Sequence, residues 1–442
     1  MTSDLTRGDI RPELIALAVP LLLGNILQQL YNTVDAVIVG RFVGDAAFAA
    51  VGVSGSVMNL FLFLLSGGCA GVGVMLSQYF GAHDLSTFRR GFFLSAAAGA
   101  LFSLLLTGAA LLALEPLLVL LKTPPEVIPH AAAYLRIIFP GFLASFAYHL
   151  TSSVLRCVGD TRSALLFLLL SMGANLILDL WFVAGLAMGA SGAALATVLA
   201  QILAAGLCFL YLKNHYPELL FRRTDLRLDL PLLGRTARFS LVSALQMCSL
   251  YIGKLLVQGT VNSLGTDAIS AYTAATRIEG FANSFGDSGA MAVSIFVGQN
   301  TGSKDFPRIR EGFREGQKLL GAFGLFMSAV MILFAVPTLT LVLPADSAGG
   351  MDHAVGYLRL VAAFYLFNFL GSGLSGYLRG RGKVSLAVMG TTGHITIRAV
   401  LSARMAGGMG LEAVALASGI GWIFVVSFWT VFRKMDFKRM KT

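Results

Sequence analysis

The 442-residue sequence contains few charged residues. Asp, Glu, Lys and Arg together make up 13% of the chain, whereas hydrophobic residues make up 56%. An average soluble domain carries about 25% charged residues, because its surface must be covered with polar groups. So small a charged fraction excludes a soluble globular protein of this length. The chain is therefore predicted to be a polytopic membrane protein.

Cysteine is also scarce, and so are the local motifs of enzymes. The four cysteines lie in apolar segments without the spacing of metal ligands, so we interpret them as packing residues. The spans contain no His-Glu-x-x-His and no Gly-x-Ser-x-Gly motif. A membrane-embedded enzyme is therefore the least supported class of function, and no cofactor is expected apart from a coupling ion.

Long apolar runs predict transmembrane helices. A helix needs about 20 mostly apolar residues to cross a bilayer, and the runs are continuous, unlike the alternating pattern of β-barrel strands. Breaks rich in charge, proline or glycine divide the chain into about twelve spans. The predicted spans are residues 14–40, 48–78, 91–115, 131–155, 163–186, 190–212, 235–262, 268–298, 317–343, 353–377, 384–405 and 411–433.

The basic residues indicate the orientation of these spans. With the N-terminus inside, 25 Lys and Arg residues lie on the inner side, and only Arg41, Lys122 and Arg404 lie in outer loops. This asymmetry follows the positive-inside rule, so both termini are predicted to be cytoplasmic in an inner (plasma) membrane. Topology and lipid headgroups account for the net charge of +10, and nucleic-acid binding is not expected.

The chain is an internal duplication. The pattern Gln78-x-x-Gly-x-x-Asp-x-x-x-x-Arg recurs from Gln299 in the second half of the sequence. The pattern His130-Ala-x-x-Tyr-Leu-Arg recurs from His353, at almost the same offset. Collinear matches of this kind indicate a duplicated unit of six helices.

The even number of spans in each copy has consequences for the fold. Each copy begins and ends on the same side of the membrane, so the repeats are predicted to be parallel, with a central cavity between them. The predicted domains are an N-lobe over residues 1–213, a cytoplasmic linker over 214–238 and a C-lobe over 239–442. The chain is expected to act as a monomer on a small-molecule substrate in the lipid bilayer.

Polar residues recur at helical spacing in two spans of the first repeat. The stripes consist of Asn25, Gln28, Asn32 and Asp35 in the first span and of Ser171, Asn175 and Asp179 in the fifth. An ionisable residue at membrane depth costs about 2.5–3.5 kcal/mol on insertion scales, so it needs a compensating role. Two carboxylates with amide and hydroxyl oxygens nearby form a candidate site for Na⁺ or a proton. In the alternative interpretation, each Asp only hydrogen-bonds a neighbouring helix.

The second repeat carries different groups at the matching positions. The alignment of His130 with His353 also places His394, Arg398 and Ser402 where the first repeat has its second stripe. Lys254 lies close to the equivalent of Asp35. An acidic stripe in the first repeat has therefore become a basic one in the second.

The eighth span adds a further polar face, formed by Glu279, Asn283 and Asp287. Together with Gln28, Asn32, Lys254 and Arg398, the first two of these residues are candidates for the lining of a substrate cavity. In the alternative interpretation, Lys254 and Arg398 form structural ion pairs with Glu279 and Asp287. Neither interpretation is favoured by the sequence.

The duplicated twelve-span plan resembles the multidrug and toxic compound extrusion (MATE) transporters. The motifs that carry this resemblance are Gln78-Tyr-Phe-Gly81, Gln299-Asn-Thr-Gly302 and Leu155-Arg-Cys-Val-Gly-Asp-Thr-Arg162. The resemblance extends over essentially the whole chain. It implies a V-shaped pair of six-helix lobes that exports cationic or amphipathic compounds in exchange for inward Na⁺ or H⁺.

The resemblance also implies roles for individual residues. The branch of the family with its ion site in the N-lobe matches this sequence at Asp35, Asn175, Asp179 and Thr197. A glutamine that faces the drug cavity corresponds to Gln28, and the bending proline of the first helix corresponds to Pro20. Another branch has acids in the seventh and tenth spans. This sequence departs from that branch, because its seventh span carries Lys254, and the N-lobe site is therefore favoured.

Two other functions remain open at this point. A flippase for lipid-linked sugars or cell-wall precursors shares the general architecture and needs inward-facing basic residues, which Lys254, Arg277 and Arg398 could supply. A membrane-embedded enzyme is the third alternative. Na⁺ and H⁺ cannot be separated from the sequence, because the same oxygen ligands serve both.

Overall fold

A computed structural model describes residues 4–42, 45–121, 123–343 and 348–440, without the side chains of residues 32–49 and 344–349. The described residues form helices, and no strand occurs among them, which confirms the prediction of an all-α fold. The helices of the first repeat are α1 (Ile10–Phe42), α2 (Asp45–Gly81), α3 (Leu85–Leu112), α4 (Leu114–Leu120), α5 (Ile128–Cys157), α6 (Thr161–Asp179) and α7 (Gly189–His215). Those of the second are α8 (Leu230–Asn262), α9 (Thr266–Gly302), α10 (Phe306–Leu333), α11 (Ala335–Thr340), α12 (Ala348–Ala362), α13 (Tyr365–Gly380), α14 (Val384–Met409) and α15 (Glu412–Arg439).

Most of these helices are long and apolar enough to cross a bilayer. Ten candidates are found among the described residues, and α12 with α13, bent by 50° at their junction, makes an eleventh. Helix α9 is not among these candidates, although it is 37 residues long. Its charged residues, including Glu279 and Asp287, lower its hydropathy. The predicted span 353–377 is thus a bent pair of helices, and the predicted span 268–298 lies in α9, which is not among the candidates.

The duplication is visible in the local structure. Asp84 and Asp305, which occupy equivalent positions, each accept a backbone N–H three residues ahead and so cap the start of α3 and α10. Both of these helices are interrupted after 28 residues and continue as the short helices α4 and α11. The predicted spans 91–115 and 317–343 therefore each contain a break at the same place in the repeat.

The turn before α6 explains one of the repeated glycines. Gly159 has a φ of 87°, and its equivalent Gly382, in the turn before α14, has a φ of 75°. Only glycine adopts such values without a steric penalty. The repeated Leu-Arg-x-x-Gly pattern therefore records a left-handed residue at the end of α5 and of α13.

The chain forms two compact units that do not follow chain order throughout. Unit 1 consists mainly of Ile26–Ala244, and unit 2 consists of Leu5–Asn25 and Leu245–Thr442. Each unit thus contains the first part of the first helix of the other repeat. In unit 2, Gln299 accepts the backbone N–H of Leu5 at 3.1 Å. The division into lobes at residues 213 and 239 stays a prediction.

Unit 1 binds the start of α8 through the equivalent glutamine. Gln78 accepts a 2.8 Å hydrogen bond from Arg235, whose guanidinium also lies over the Tyr79 and Phe239 rings. The two Gln-x-x-Gly motifs therefore have the same role in both units. Gln78, near the end of α2, holds the first turns of α8, and Gln299, near the end of α9, holds the segment just before α1.

Candidate functional site

The polar stripe of α6 lies in the interior of unit 1. Asn175 and Asp179 are one helical turn apart and only 3% and 1% exposed. Asp179 is the last residue of α6, and the chain continues as a π-helical segment, Leu180–Gly185. π-Helical turns are rare in proteins, and those that do occur often lie at functional sites. The sequence therefore places a buried carboxyl at an irregular point of a membrane helix.

Asn175 connects three helices. Its amide nitrogen donates to Oδ2 of Asp179 at 3.0 Å and to the Tyr31 hydroxyl of α1, while its oxygen accepts the backbone N–H of Thr197 at 3.1 Å. We assign this orientation because, in the opposite one, the amide oxygen would face only acceptors and the amide nitrogen would face only a donor. The candidate site thus contains groups from α1, α6 and α7.

One hydroxyl near this amide joins α6 to α7, and another bonds within α7. Ser171 donates to the carbonyl of Ala200 at 3.1 Å, and Thr197 donates to the carbonyl of Ala193 at 2.9 Å. A hydroxyl that donates one hydrogen bond keeps lone pairs for a cation or another donor. The oxygens of Asp179, Tyr31 and Thr197 are hard ligands of the kind that Na⁺ or a proton prefers.

Four predicted residues lie on α1. The side chains of Asn32 and Asp35 are outside the described residues, although Asp35 follows Tyr31 by four positions in the helix. Gln28 is half-buried. Pro20 lies inside α1, where its ring nitrogen cannot donate to the carbonyl of Ala16. The roles of all four in ion binding, substrate contact and gating stay predictions.

Unit 2 contains a second buried cluster of polar residues. Glu279 of α9 is 7% exposed and accepts hydrogen bonds from the hydroxyls of Tyr357 at 2.7 Å and Tyr365 at 3.3 Å. One turn further along α9, Asn283 accepts a 2.8 Å hydrogen bond from the amide of Asn368. The side chain of Asp287, another turn on, is exposed.

Arg398 reaches the same cluster from α14. Its guanidinium donates to the Tyr272 hydroxyl at 3.1 Å, and the Tyr272 ring packs edge-on against Tyr357 with centroids 5.5 Å apart. No ion pair within 4.0 Å joins Arg398 or Lys254 to Glu279 or Asp287 in the described part of the chain. Among the described residues, tyrosine hydroxyls, and not the ion-pair partners of the alternative interpretation, bind Glu279 and Arg398.

Sequence reasoning missed these tyrosines. Tyr31, Tyr272, Tyr357 and Tyr365 were not among the candidates, because their positions in the spans are compatible with ordinary apolar packing. One signal was present, since Tyr357 belongs to the repeated His-Ala-x-x-Tyr-Leu-Arg motif. That motif indicated the duplication, and it also contained a contact of the buried carboxyl.

A comparison with protein families identifies the fold and its function class. The MatE family model matches residues 20–181 and 243–404, two segments of equal length. The chain belongs to the MATE family. The starts of the two matches are as far apart as His130 and His353, which begin the two His-Ala-x-x-Tyr-Leu-Arg motifs. The resemblance and the duplication are thereby confirmed.

Curated relatives of this MATE protein cover most of its length. It is 27% identical over 435 residues to the "Probable multidrug resistance protein YpnP" of Bacillus subtilis, covering 95% of this chain and 94% of that protein. It is 26% identical over 393 residues to the "Probable multidrug resistance protein NorM" of Thermotoga maritima, covering 85% of this chain and 81% of the relative.

Solved structures show the same fold. A MOP superfamily transporter from Pyrococcus furiosus, described as having a binding pocket of reverse polarity, superposes with a TM-score of 0.91 at 21% identity and covers 100% of this chain and 99% of that one. An outward-facing multidrug resistance MATE transporter gives 0.91 at 22% identity, covering 100% and 98%. At this identity the likeness shows the fold alone.

These findings settle the class of function. The protein is a multi-pass transporter of the inner membrane and not an enzyme. The two relatives named above are described as probable multidrug resistance proteins, and nothing in the comparisons favours the flippase alternative.

Proposed function

We propose that this MATE transporter is a cation-coupled multidrug antiporter that exports organic cationic or amphipathic compounds by alternating access. The observation that carries the proposal is the buried Asn175–Asp179 pair, with Tyr31 and Thr197 as its neighbours. A carboxyl that is 1% exposed inside a membrane helix is costly. Binding and release of a cation would compensate for this cost. The names of the relatives support drug export.

The proposed cycle couples two bound species by mutual exclusion. A cation or proton at Asp35 and Asp179 favours one arrangement of the transporter, and the substrate favours the other. A ligand shifts such an equilibrium only by its difference in affinity for the two states. Because the coupling is reciprocal, cation entry lowers substrate affinity and substrate entry lowers cation affinity by the same factor.

The remaining predicted residues have roles in this proposal. Gln28, Asn32, Lys254, Glu279, Asn283 and Arg398 line the path of the substrate, and Pro20 permits bending of α1. The transporter acts as a monomer with both termini in the cytoplasm. The coupling ion is Na⁺ or H⁺, since carboxylate and hydroxyl oxygens serve either.

Substitution of the two aspartates tests the proposal. Asp35→Asn and Asp179→Asn each remove a titratable and cation-binding group but keep the size of the side chain. We expect substrate efflux from proteoliposomes to fall at least about tenfold, the loss that about 1.4 kcal/mol of binding energy produces. Thermal unfolding in detergent should show that both variants are folded.

The control is Asp229→Asn, in the segment before α8, because Asn can keep the cap on Leu232 that Asp229 provides. Efflux by this variant should equal that of the wild type. Undiminished efflux by both the Asp35 and the Asp179 variants would disprove the assignment. Na⁺ and pH gradients imposed separately across the same proteoliposomes identify the coupling ion.

A further inference from the structure

A polar row along α9 distinguishes unit 2 from unit 1. Glu279, Asn283 and Asp287 follow one another at intervals of four residues and therefore share a face of the helix. The row begins at a carboxyl buried between two tyrosine hydroxyls and ends at an exposed carboxyl. It offers hydrogen-bonding groups over more than two helical turns.

The first repeat shows that the fold does not require this row. The alignment of Gln78 with Gln299 places Met58, Leu62 and Ser66 of α2 at the equivalent positions. Tyr134, the equivalent of Tyr357, contacts the Met58 sulfur at 3.9 Å. The same tyrosine therefore meets a thioether in one unit and a carboxyl in the other. Because a buried carboxyl is costly and a methionine serves the packing in the first repeat, Glu279 needs a role other than structure.

The surroundings of Glu279 suit a group that gains and loses a proton. A tyrosine hydroxyl donates to a carboxylate and can accept from a carboxylic acid, so Tyr357 and Tyr365 can satisfy both forms. Arg398 of α14 and Lys254 of α8 act on the carboxyl at longer range and without direct contact. The negative charge of the Glu279 carboxylate is thus partly balanced, and protonation of this carboxylate breaks no ion pair.

A cavity lies at one end of unit 2. It has a volume of about 290 Å³, lies at the turn from α8 to α9 and is lined by Asp267 and His353, among others. His353 precedes Tyr357 by four residues on α12, so the two lie on the same face of that helix one turn apart. Neither Tyr357 nor Glu279 lines this cavity, so the path from Glu279 to solvent that the structure offers is the polar row that ends at the exposed Asp287.

We propose that Glu279 is a proton-binding carboxyl of unit 2, which takes up and releases its proton along Asn283 and Asp287. Proton binding by Glu279 stands independently of the cation site in unit 1. Its contribution to transport, as a second coupling group beside Asp179, rests on the proposed antiporter function. The hydroxyls of Tyr357 and Tyr365 contact Glu279 directly, and Arg398 and Lys254 are the cations that act on it at longer range.

Infrared difference spectroscopy of the purified full-length protein in lipid tests proton binding directly. Lowering the pH from mildly alkaline to mildly acidic should produce the carbonyl-stretch band of a buried carboxylic acid. Glu279→Gln and Glu279→Met should both lack this band. The methionine variant should fold, because Met58 occupies the equivalent position in unit 1. An unchanged band in both variants would overturn the proposal.

Two further variants act as controls. His353→Gln should keep the band, because His353 is exposed and Tyr357 and Tyr365 are the residues that donate to Glu279. Asp179→Asn should also keep the band, because that residue lies in the other unit. Loss of the band in the Asp179 variant, but not in the Glu279 variants, would assign the proton to unit 1 and contradict the inference.

Transport measurements test the coupling role. The pH dependence of efflux should be flatter for Glu279→Met than for the wild type, and Tyr357→Phe should shift the pH midpoint without removing the dependence. A purely structural role would change the amount of folded protein and not this profile. If Asp35 and Asp179 prove dispensable while the Glu279 band is confirmed, the proposed function fails and proton binding by Glu279 stands. If the aspartates are essential and Glu279→Met leaves the band unchanged, the proposed function stands and proton binding by Glu279 is disproved.

Discussion

Arg89, at the start of α3, donates a 2.9 Å hydrogen bond from Nε to Oδ2 of Asp225 in the segment between α7 and α8. Asp225 also accepts the backbone N–H of Arg222 at 2.9 Å. Arg89 belongs to the repeated Gln-x-x-Gly-x-x-Asp motif, and its equivalent Arg310 donates to the carbonyl of Phe437 at 2.8 Å. The motif arginine therefore binds the segment that follows α7 in unit 1 and the end of α15 in unit 2.

We expect Asp225→Asn to lower the stability of unit 1 by about 1–2 kcal/mol, because hydrogen bonds to a charged group are lost and Arg89 loses its partner. Thermal unfolding of the detergent-solubilised protein at neutral pH measures this change. Asp229→Asn is the matched control. Its ion pair with Arg90 is longer, at 3.4 Å, and about one third exposed on both sides, so we expect a smaller effect.

The contribution of Asp225 should depend on pH. Burial raises the pKa of this carboxyl, but the hydrogen bonds from Arg222 and Arg89 outweigh burial and hold the pKa below its ordinary value of 3.8. A depressed pKa stabilises the folded state above the unfolded pKa, and the contribution is lost as the pH falls through the folded value. The difference between wild type and Asp225→Asn should therefore be constant above about pH 5 and shrink below about pH 4. A constant difference down to about pH 2 would contradict this account.

Asp436, near the end of α15, should be the most sensitive charged position of unit 2. It is 3% exposed and accepts hydrogen bonds from Lys383 at 2.6 Å, Arg381 at 2.9 Å and the Tyr377 hydroxyl. Asp436→Asn leaves two cations without a counter-charge, and we expect a loss of about 3 kcal/mol. Glu315→Gln is the control, because its partner Lys318 is 73% exposed and the pair contributes under about 1 kcal/mol. Equal melting temperatures for the two variants would disprove the assignment.

Gly376 of α13 allows close packing on α9. A Cβ atom at this position would overlap the carbonyl oxygen of Ala290, which cannot move without breaking the helix backbone. Gly376→Ala should therefore destabilise the protein by about 1–3 kcal/mol, as overpacking does. Gly407 of α14 has open space around its Cα, so Gly407→Ala should be neutral or stabilising by up to about 1 kcal/mol. Thermal unfolding of both variants tests the contrast.

The parts of this structure that were predictable from sequence are those that repeat or recur. Hydropathy indicated the spans, and the duplicated motifs indicated two related units. The four-residue spacing placed Asn175 and Asp179 on one face of α6, where the structure confirms that they lie together. Each of these features depends on local periodicity, which a single sequence displays.

The parts that could not be predicted depend on contacts between helices. The hydroxyl of Tyr31 meets Asn175 across α1 and α6, and those of Tyr357 and Tyr365 meet Glu279 across three helices. A tyrosine in an apolar helix has the same local pattern whether its hydroxyl meets lipid headgroups or a buried carboxyl. The boundaries of the units also depend on tertiary packing, since Leu5–Asn25 packs with the second repeat.

Thr197 provides the sharpest test of the cation site, because its two polar groups have different tasks. The backbone N–H binds the oxygen of Asn175 at 3.1 Å, whereas the hydroxyl donates to Ala193 and keeps lone pairs for a cation. Thr197→Val keeps the backbone contact and the side-chain shape and removes only the oxygen. Loss of one oxygen ligand should weaken the apparent affinity for the coupling ion by about tenfold, or about 1.4 kcal/mol.

The ion dependence of efflux from proteoliposomes measures this affinity. Thr197→Ser restores the oxygen and should return the affinity to within about twofold of the wild type, a difference of about 0.4 kcal/mol. Both variants should unfold at wild-type temperature, because the bond from the backbone to Asn175 is retained. If Thr197→Val and Thr197→Ser show the same ion dependence as the wild type, the hydroxyl is not a ligand. The bond from Thr197 to Asn175 would then be the residue's whole contribution, and the cation would be held by the carboxylates.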